Sequence, residues 1–258
     1  GTTVTAWILS LTGLSGDSIL IQLLKPTSFT PILALIGVIL YVFLKDSKKK
    51  DLGMILLGFA VLMFGMDTAS DAVSGLKNVP EFTQLFVLFK NPILGILAGA
   101  ILTGIIQSSS ASVGILHALC VTGQVTLGAA FPIILGQHIG TCVTALLSSM
   151  GANKNAKRAA MIHFNFNVFG SVILMALFYG ADAIFKFTFV DEAASAVDVA
   201  VIHTACSLIE TAIFLPLSKL LEKVSIKMIK DTESNEEEEV ILLDERLFIN
   251  PGVALQQA

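Results

Sequence analysis

The sequence is short of charged residues and has none at all over one long stretch. Only 14% of its 258 residues are charged, and 54% are hydrophobic, whereas soluble domains usually carry about 25% charged residues. Between Lys90 and Lys154 there is no Asp, Glu, Lys or Arg. Because so few charges cannot give the chain a polar surface, an ordinary soluble domain is excluded. We predict an integral membrane protein.

The sequence also lacks the cysteine spacing of a metal site or a disulfide framework. Cys120, Cys142 and Cys206 each lie inside an apolar block. Isolated thiols in such surroundings are typical of small core residues. We therefore expect no disulfide and no metal centre. Separately, we expect no organic cofactor, no catalytic residue and no nucleic-acid partner.

Several apolar blocks approach the roughly 20 residues that a helix needs to cross a bilayer. They are too long for strands and lack the alternation of a membrane barrel, so the predicted fold is all-α. The predicted spanning or membrane-entering segments are Phe29–Leu44, Leu52–Ala69, Pro92–Ile106, Ser110–Val121, Thr126–Met150, Ala159–Tyr179 and Val199–Leu217.

Basic residues are concentrated in three places along the chain, and the remaining loops are rich in Asp and Glu. Basic loops favour the cytoplasmic side of a membrane. The charge pattern therefore predicts a multi-pass protein of the cell (inner) membrane with a cytoplasmic C-terminal tail. The three basic groups are Lys45 with Lys48, Lys49 and Lys50; Lys154 with Lys157 and Arg158; and Lys219 with Lys223, Lys227 and Lys230.

A polar cluster, Gln107-Ser108-Ser109-Ser110, interrupts the longest uncharged stretch. An unsatisfied polar group in hydrocarbon costs several kcal/mol, so these side chains need partners. The charge pattern is consistent only if Pro92–Ile106 and Ser110–Val121 enter and leave by the same face. We therefore predict a re-entrant helical hairpin broken at the cluster, whose freed backbone groups face a ligand. The alternative is that the serines join neighbouring helices by hydrogen bonds.

The segment Gly1–Ala6 (GTTVTA) is repeated with one mismatch as Gly140–Ala145 (GTCVTA). The charge pattern gives the two copies opposite orientations, which is typical of inverted-repeat transporters with a site near the midplane. We expect the counterpart of the Gln107 cluster to lie upstream of Gly1. The predicted units are the end of a first repeat at 1–28, two helices with an outer loop at 29–91, a second repeat at 92–230 and an acidic linker at 231–258.

Three motifs together identify a family. Gln107–Ala111 (QSSSA), Leu135–Thr141 (LGQHIGT) and Arg158–Asn167 (RAAMIHFNFN) resemble the sodium-dependent phosphate cotransporter type II family. The resemblance is to its bacterial branch, in which a cytoplasmic PhoU-like domain follows the membrane part. On this basis the chain is expected to be a fragment that lacks the first repeat and the PhoU-like domain.

The resemblance implies symport of inorganic phosphate with sodium as co-substrate, in a lipid bilayer, with a homodimer as a further possibility. Two positions depart from the family pattern, because His138 replaces a common Asn and Cys142 a common Thr. The implied phosphate-binding residues are Gln107, Ser108, Ser109 and Ser110. The implied ion-binding candidates are Thr2, Thr3, Thr5, Ser110, Thr141, Thr144 and His138.

Two other functions stay open at this stage. A phosphate sensor would bind without net transport. An intramembrane serine hydrolase would need one activated serine, but the sequence has no Gly-x-Ser-x-Gly setting.

Ionisable and small residues inside the predicted helices have their own alternatives. Glu210 and His203 lie on a similar helix face and are either a functional pair or a structural one. We expect His117 and His163 to be hydrogen-bonded packing residues. Gly95, Gly99 and Gly104 have the spacing of close helix packing.

Overall fold

A computed structural model describes residues 2–11, 26–74, 79 and 91–230. Within these ranges the regular elements are helices, with one 3₁₀ turn at Thr188–Asp191 and one isolated antiparallel bridge between Thr126 and Ala193. The expected all-α fold is confirmed. The α-helices are α1 (Thr2–Ser10), α2 (Pro26–Phe43), α3 (Ser47–Ser74), α4 (Pro92–Ile106), α5 (Ser109–Cys120), α6 (Leu127–Ser149), α7 (Lys154–Phe185), α8 (Ala196–Phe214) and α9 (Ser218–Met228).

Among the residues that the structure describes, four helices, α3, α6, α7 and α8, are long and apolar enough to cross a membrane, and α2, α4 and α5 are shorter apolar helices. The membrane prediction is therefore supported. The predicted linker at 231–258 and the residue Gly1 lie outside the described residues.

Helices α3 and α7 begin five residues earlier than the predicted segments Leu52–Ala69 and Ala159–Tyr179, because basic residues lie in their first turns. The lysines Lys48, Lys49 and Lys50 belong to α3 and are not a loop. In α7 the first turn is held by Asn153, whose side chain accepts the backbone N–H of Ala156 at 2.9 Å. An asparagine cap of this kind satisfies a free N–H at a helix start.

The junction between α4 and α5 consists of a left-handed Gln107 and an extended Ser108. Gln107 has φ 56° and donates its backbone N–H to the carbonyl of Thr103 at 2.7 Å, which ends α4. Ser108 begins α5 by accepting the N–H of Ala111 at 3.2 Å. The other two serines of the motif, Ser109 and Ser110, form the first turn of α5.

Helices α4 and α5 form a hairpin beside α6. Gly95 of α4 lies against Pro132 near the start of α6, and Gly104 lies against Val143 further along. Therefore α4 and α6 run in the same direction. Because α5 ends at Cys120, just before α6 begins, it must run back alongside α4.

Glycines allow α4 and α6 to approach until their backbones touch. A methyl group on Gly99 would collide with the carbonyl oxygen of Ile133, and one on Gly136 with that of Ile96. Small residues are the usual means of close helix packing in membranes. The predicted packing role of the α4 glycines is confirmed.

Helix α1 packs parallel to α5 and antiparallel to α8. Thr2 contacts Ser109 at the start of α5, and Leu9 contacts Gly114 further along. On the α8 side, the indole of Trp7 donates to Thr204 at 2.9 Å. The inner face of α1, with Ala6 and Leu9 fully buried, joins an apolar core that contains Met63 of α3, Leu116 of α5 and Ile134 of α6.

The amphipathic helix α9 packs against the first half of α7. The amide of Asn165 donates to Ser225 at 3.2 Å, and the guanidinium of Arg158 donates to the carbonyl of Ile229 at 3.1 Å and 3.2 Å. These bonds bring the carboxyl-terminal end of α9, which contains Lys227, to the basic start of α7.

Candidate functional site

A polar cavity of about 180 Å³ lies where α1, α5, α6, α7 and α8 meet. All these helices are apolar overall, so the polar lining is concentrated at one place. The lining residues are Thr2, Thr3, Ser109, Gln137, His138, Thr141, Phe166, Asn167, His203, Ser207, Glu210 and Thr211.

Half of the residues predicted from the sequence line this cavity, and the other half lie outside it. Gln107 has an exposed side chain, and Ser108 caps α5. The hydroxyl of Ser110 donates to that of Thr5 at 3.5 Å, and the hydroxyl of Thr144 donates to the carbonyl of Thr141 at 3.0 Å. The predicted residues that do line the cavity are Thr2, Thr3, Ser109, His138 and Thr141.

One end of the cavity is formed by the start of α5 and the start of α1. The hydroxyls of Thr2 and Ser109 lie 2.6 Å apart. Because either oxygen can donate to the other, the pair keeps one hydroxyl proton for a third group. The amino-terminal end of α5 adds partial positive charge here. This end of the cavity suits an anion.

Glu210 and two histidines form a line along the cavity that leads to the start of α1. The Nδ1 atom of His138 lies 3.4 Å from Glu210 Oε2, and its Nε2 atom lies 3.3 Å from Nε2 of His203. The line ends at Thr3, whose hydroxyl lies 3.3 Å from Nδ1 of His203. The sequence suggested a pair of Glu210 and His203; the structure inserts His138 between them.

Gln137 is the most unusual residue that the sequence analysis missed. Its side chain is 1% exposed, and neither amide atom has a partner among the described residues. A buried amide without partners costs on the order of 1–3 kcal/mol. An amide that lines a cavity and bonds to nothing around it is poised for a ligand.

Ser207 and Thr211 were also missed, although helical spacing could have revealed them. They lie four and eight residues after His203, and Glu210 lies seven residues after it, which places all four on one face of α8. Asn167 lies on α7 and donates to the carbonyl of His163 at 2.9 Å and to the sulfur of Cys142 at 3.3 Å.

Ser108 offers a test that separates a helix cap from a ligand. We expect Ser108→Ala to lower the free energy of unfolding by about 1 kcal/mol and Ser108→Gly by only a few tenths, because glycine is tolerated at this position. If Ser108 is only a cap, any binding of inorganic phosphate that the alanine variant loses should recover in the glycine variant. Melting temperature and phosphate affinity, measured on both variants, check this. Equal loss of binding in both would instead make the hydroxyl a ligand.

Comparison with known proteins identifies a family and relatives that agree with one another. A model of the Na⁺/Pi-cotransporter family matches residues 1–71 and 75–205. The uncharacterized protein YqeW of Bacillus subtilis is 28% identical over 191 residues, which cover 74% of this chain and 61% of that protein. No solved structure matches the chain.

Two further relatives carry functional names. The putative inorganic phosphate export protein YjbB of Escherichia coli is 27% identical over 147 residues, which are 57% of this chain and 27% of that protein. The human sodium-dependent phosphate transport protein 2B is 32% identical over 131 residues, which are 47% of this chain and 19% of that protein. The chain thus spans less than two thirds of each relative's length. Because the family model covers most of the chain, the chain belongs to the Na⁺/Pi-cotransporter family, whose members are transporters and not enzymes.

Proposed function

We propose that this chain provides the second repeat of a sodium-coupled symporter that moves inorganic phosphate across the cell membrane. The single observation that carries the proposal is the cavity with polar lining residues between apolar helices, beside the α4–α5 break. A lipid-facing bundle has no structural need for so many buried polar groups, because each one costs free energy unless it is paired.

In this proposal phosphate binds at the end of the cavity formed by Ser109 and Thr2. Hydroxyls and the N–H groups at a helix start are neutral donors that fit a tetrahedral anion. Neutral donors also release a bound anion more readily than a fixed arginine or lysine would. We further propose that Gln107, Ser108 and Ser110 complete the phosphate site from the exposed side of the break, together with the first repeat.

The direction of α1 supports the proposed inverted repeat. Helix α1 runs parallel to α5, and α5 runs opposite to α6. The echoed segments at the start of α1 and in the middle of α6 therefore run in opposite directions, as related repeats of inverted topology do. On this proposal α4 and α5 form a re-entrant hairpin, and Thr2, Thr3, Thr5, Thr141, Thr144 and His138 remain the ion-binding candidates named from the sequence.

We place the protein in the inner membrane with its basic ends in the cytoplasm. Support comes from the contact of Arg158 with Ile229, which puts the carboxyl-terminal end of α9 at the basic start of α7. The residues beyond α9 would then lead into a cytoplasmic PhoU-like domain, and a homodimer is the proposed assembly.

The proposal is tested by uptake of labelled phosphate into proteoliposomes that contain the intact protein. We expect an inward sodium gradient to raise the initial rate about tenfold or more over a potassium control, within the usual range of coupling between two ligands. Uptake that is equal in sodium and potassium would contradict coupling to sodium.

The same experiment separates transport from sensing. A sensor would bind phosphate in detergent and show no accumulation in the vesicles. Accumulation above the external concentration excludes that alternative.

A further inference from the structure

The hydroxyls along α8 and α6 are turned so that they can accept but not donate. Ser207 donates to the carbonyl of His203 at 2.9 Å, and Thr211 donates to the carbonyl of Ser207 at 2.7 Å. Thr141 likewise donates to the carbonyl of Gln137 at 2.8 Å. With their protons committed to the backbone, these three groups offer only oxygen lone pairs to the cavity. Lone pairs repel an anion and coordinate a cation.

Glu210 lies in the same part of the cavity and has an unused oxygen. Its side chain is 1% exposed, and Oε1 has no partner among the described residues. The carboxylate lies against Gly170 of α7, where a methyl group would be 2.9 Å from Oε1. Glycine at this position leaves room for the carboxylate and adds no competing side chain.

The histidine line occupies only one oxygen of Glu210. His138 Nδ1 faces Oε2 of the carboxyl group and donates to it, which leaves its Nε2 to accept from Nε2–H of His203. The Nδ1 atom of His203 then accepts from the hydroxyl of Thr3. Every bond in the line is satisfied with both rings neutral, so Oε1 keeps its lone pairs for a ligand. A buried oxygen without a partner costs free energy, and a coordinated cation would offset that cost.

We propose that Glu210 Oε1 binds a sodium ion, assisted by the hydroxyl oxygens of Ser207, Thr211 and Thr141 and by Oε1 of Gln137. Carboxylate, carbonyl and hydroxyl oxygens are the ligands that hard cations prefer. The amide nitrogen of Gln137 remains free to donate to phosphate at the Ser109 end. The inference rests on the proposed function, since it assigns the coupling ion of that transporter to a site centred on Glu210, which lies in none of the three sequence motifs.

Gln137 would then connect the two ligands directly. Its oxygen faces the cation and its nitrogen the anion, so each ligand orients the amide for the other. Binding of either ligand must raise the affinity for the other by the same factor.

The first test measures sodium binding to the intact protein in detergent, with ²²Na⁺, at fixed phosphate. Thr211→Val keeps the shape of the side chain and removes a lone pair, and we expect it to raise the sodium Kd about tenfold. The matched control is Thr204→Val, because Thr204 is on the same helix but bonds to Trp7 and does not line the cavity. A sodium Kd for Thr211→Val within twofold of the control would overturn the site.

The second test removes the charge. We expect Glu210→Gln to abolish ²²Na⁺ binding and the sodium-dependent rise in melting temperature, whereas Glu222→Gln on the exposed surface of α9 changes neither. If Glu210→Gln binds sodium like the parent but no longer takes up a proton with phosphate, the carboxylate is a proton site and the inference is wrong. Should Glu210→Gln not fold, Thr211→Val and Ser207→Ala decide the question.

The third test addresses Gln137 as the connection between the two ligands. Gln137→Leu should weaken phosphate and sodium binding together and remove the dependence of one affinity on the other. Loss of phosphate affinity alone would limit Gln137 to the anion. If the parent binds sodium at Glu210 but moves no phosphate, the proposed function fails and the site stands. If the parent moves phosphate while Thr211→Val, Glu210→Gln and Gln137→Leu all keep its sodium affinity, only the site fails.

Discussion

Ser109→Ala is expected to lower the affinity of the transporter for phosphate about 10- to 100-fold. Ser109 is the serine of the Gln107–Ser110 motif that lines the cavity, where it lies 2.6 Å from the hydroxyl of Thr2. A hydrogen bond to a charged group contributes roughly 1.5–3 kcal/mol, which sets the size of the effect. Labelled-phosphate binding and uptake at low phosphate concentration measure it.

The control for this variant is Ser171→Ala. Ser171 is also a buried serine in a membrane helix, but it donates to the carbonyl of Leu135 at 3.3 Å and does not line the cavity. We expect its phosphate affinity to stay within twofold of the parent. If Ser109→Ala transports phosphate at the parent rate, the motif serves helix packing. That is the alternative stated for the sequence, in which the serines join neighbouring helices by hydrogen bonds.

The second large effect is expected at the contact between α4 and α6. Gly136→Ala adds a methyl group where the carbonyl oxygen of Ile96 already lies, so the two helices must move apart. Overpacking of this kind typically costs about 1–3 kcal/mol and more when backbone atoms are involved. We expect a lower melting temperature of the detergent-solubilised protein and a loss of phosphate uptake, because α6 carries Gln137 and His138 into the cavity.

Gly180→Ala provides the comparison, since a methyl group there meets no atom within 4 Å. Alanine in a helix is favoured over glycine by up to about 1 kcal/mol, so this variant should be as stable as the parent or slightly more so. Equal melting temperatures for Gly136→Ala and Gly180→Ala would show that the contact is not tight.

The sequence predicted helices and their approximate ends well where a physical signal is local. Asn91 and Pro92 mark the start of α4 because an Asn cap followed by Pro is a local feature. The predicted segment Ala159–Tyr179 is shorter than α7 at both ends. At the start, hydropathy alone leaves out the polar residues from Lys154 to Arg158. In the site, the motif pointed to Ser109, His138 and Thr141.

The sequence could not show which polar side chains line the cavity and which have another role, such as capping a helix. Ser108 and Ser109 are adjacent and chemically identical, yet one caps a helix and the other lines the cavity. Their roles depend on the left-handed conformation of Gln107 and on how α1 packs, which are tertiary effects. Gln137 gave no signal of its own, since its missing partners become visible only when the surrounding helices are in place.

The contacts that α1 makes on its polar side have a mechanical consequence. Towards α5 and α8 they are bonds between neutral groups: Thr2 with Ser109, Thr3 with His203 and Trp7 with Thr204. Water or a transported ion can replace such bonds without leaving a charge unpaired. The glycine-lined contact between α4 and α6, by contrast, has no room for either. We therefore expect the transporter to open along the α1 side during alternating access, while α4 and α6 move together as one rigid unit. Spin labels on α1 and α8 should report a phosphate-dependent change in distance, and labels on α4 and α6 should not.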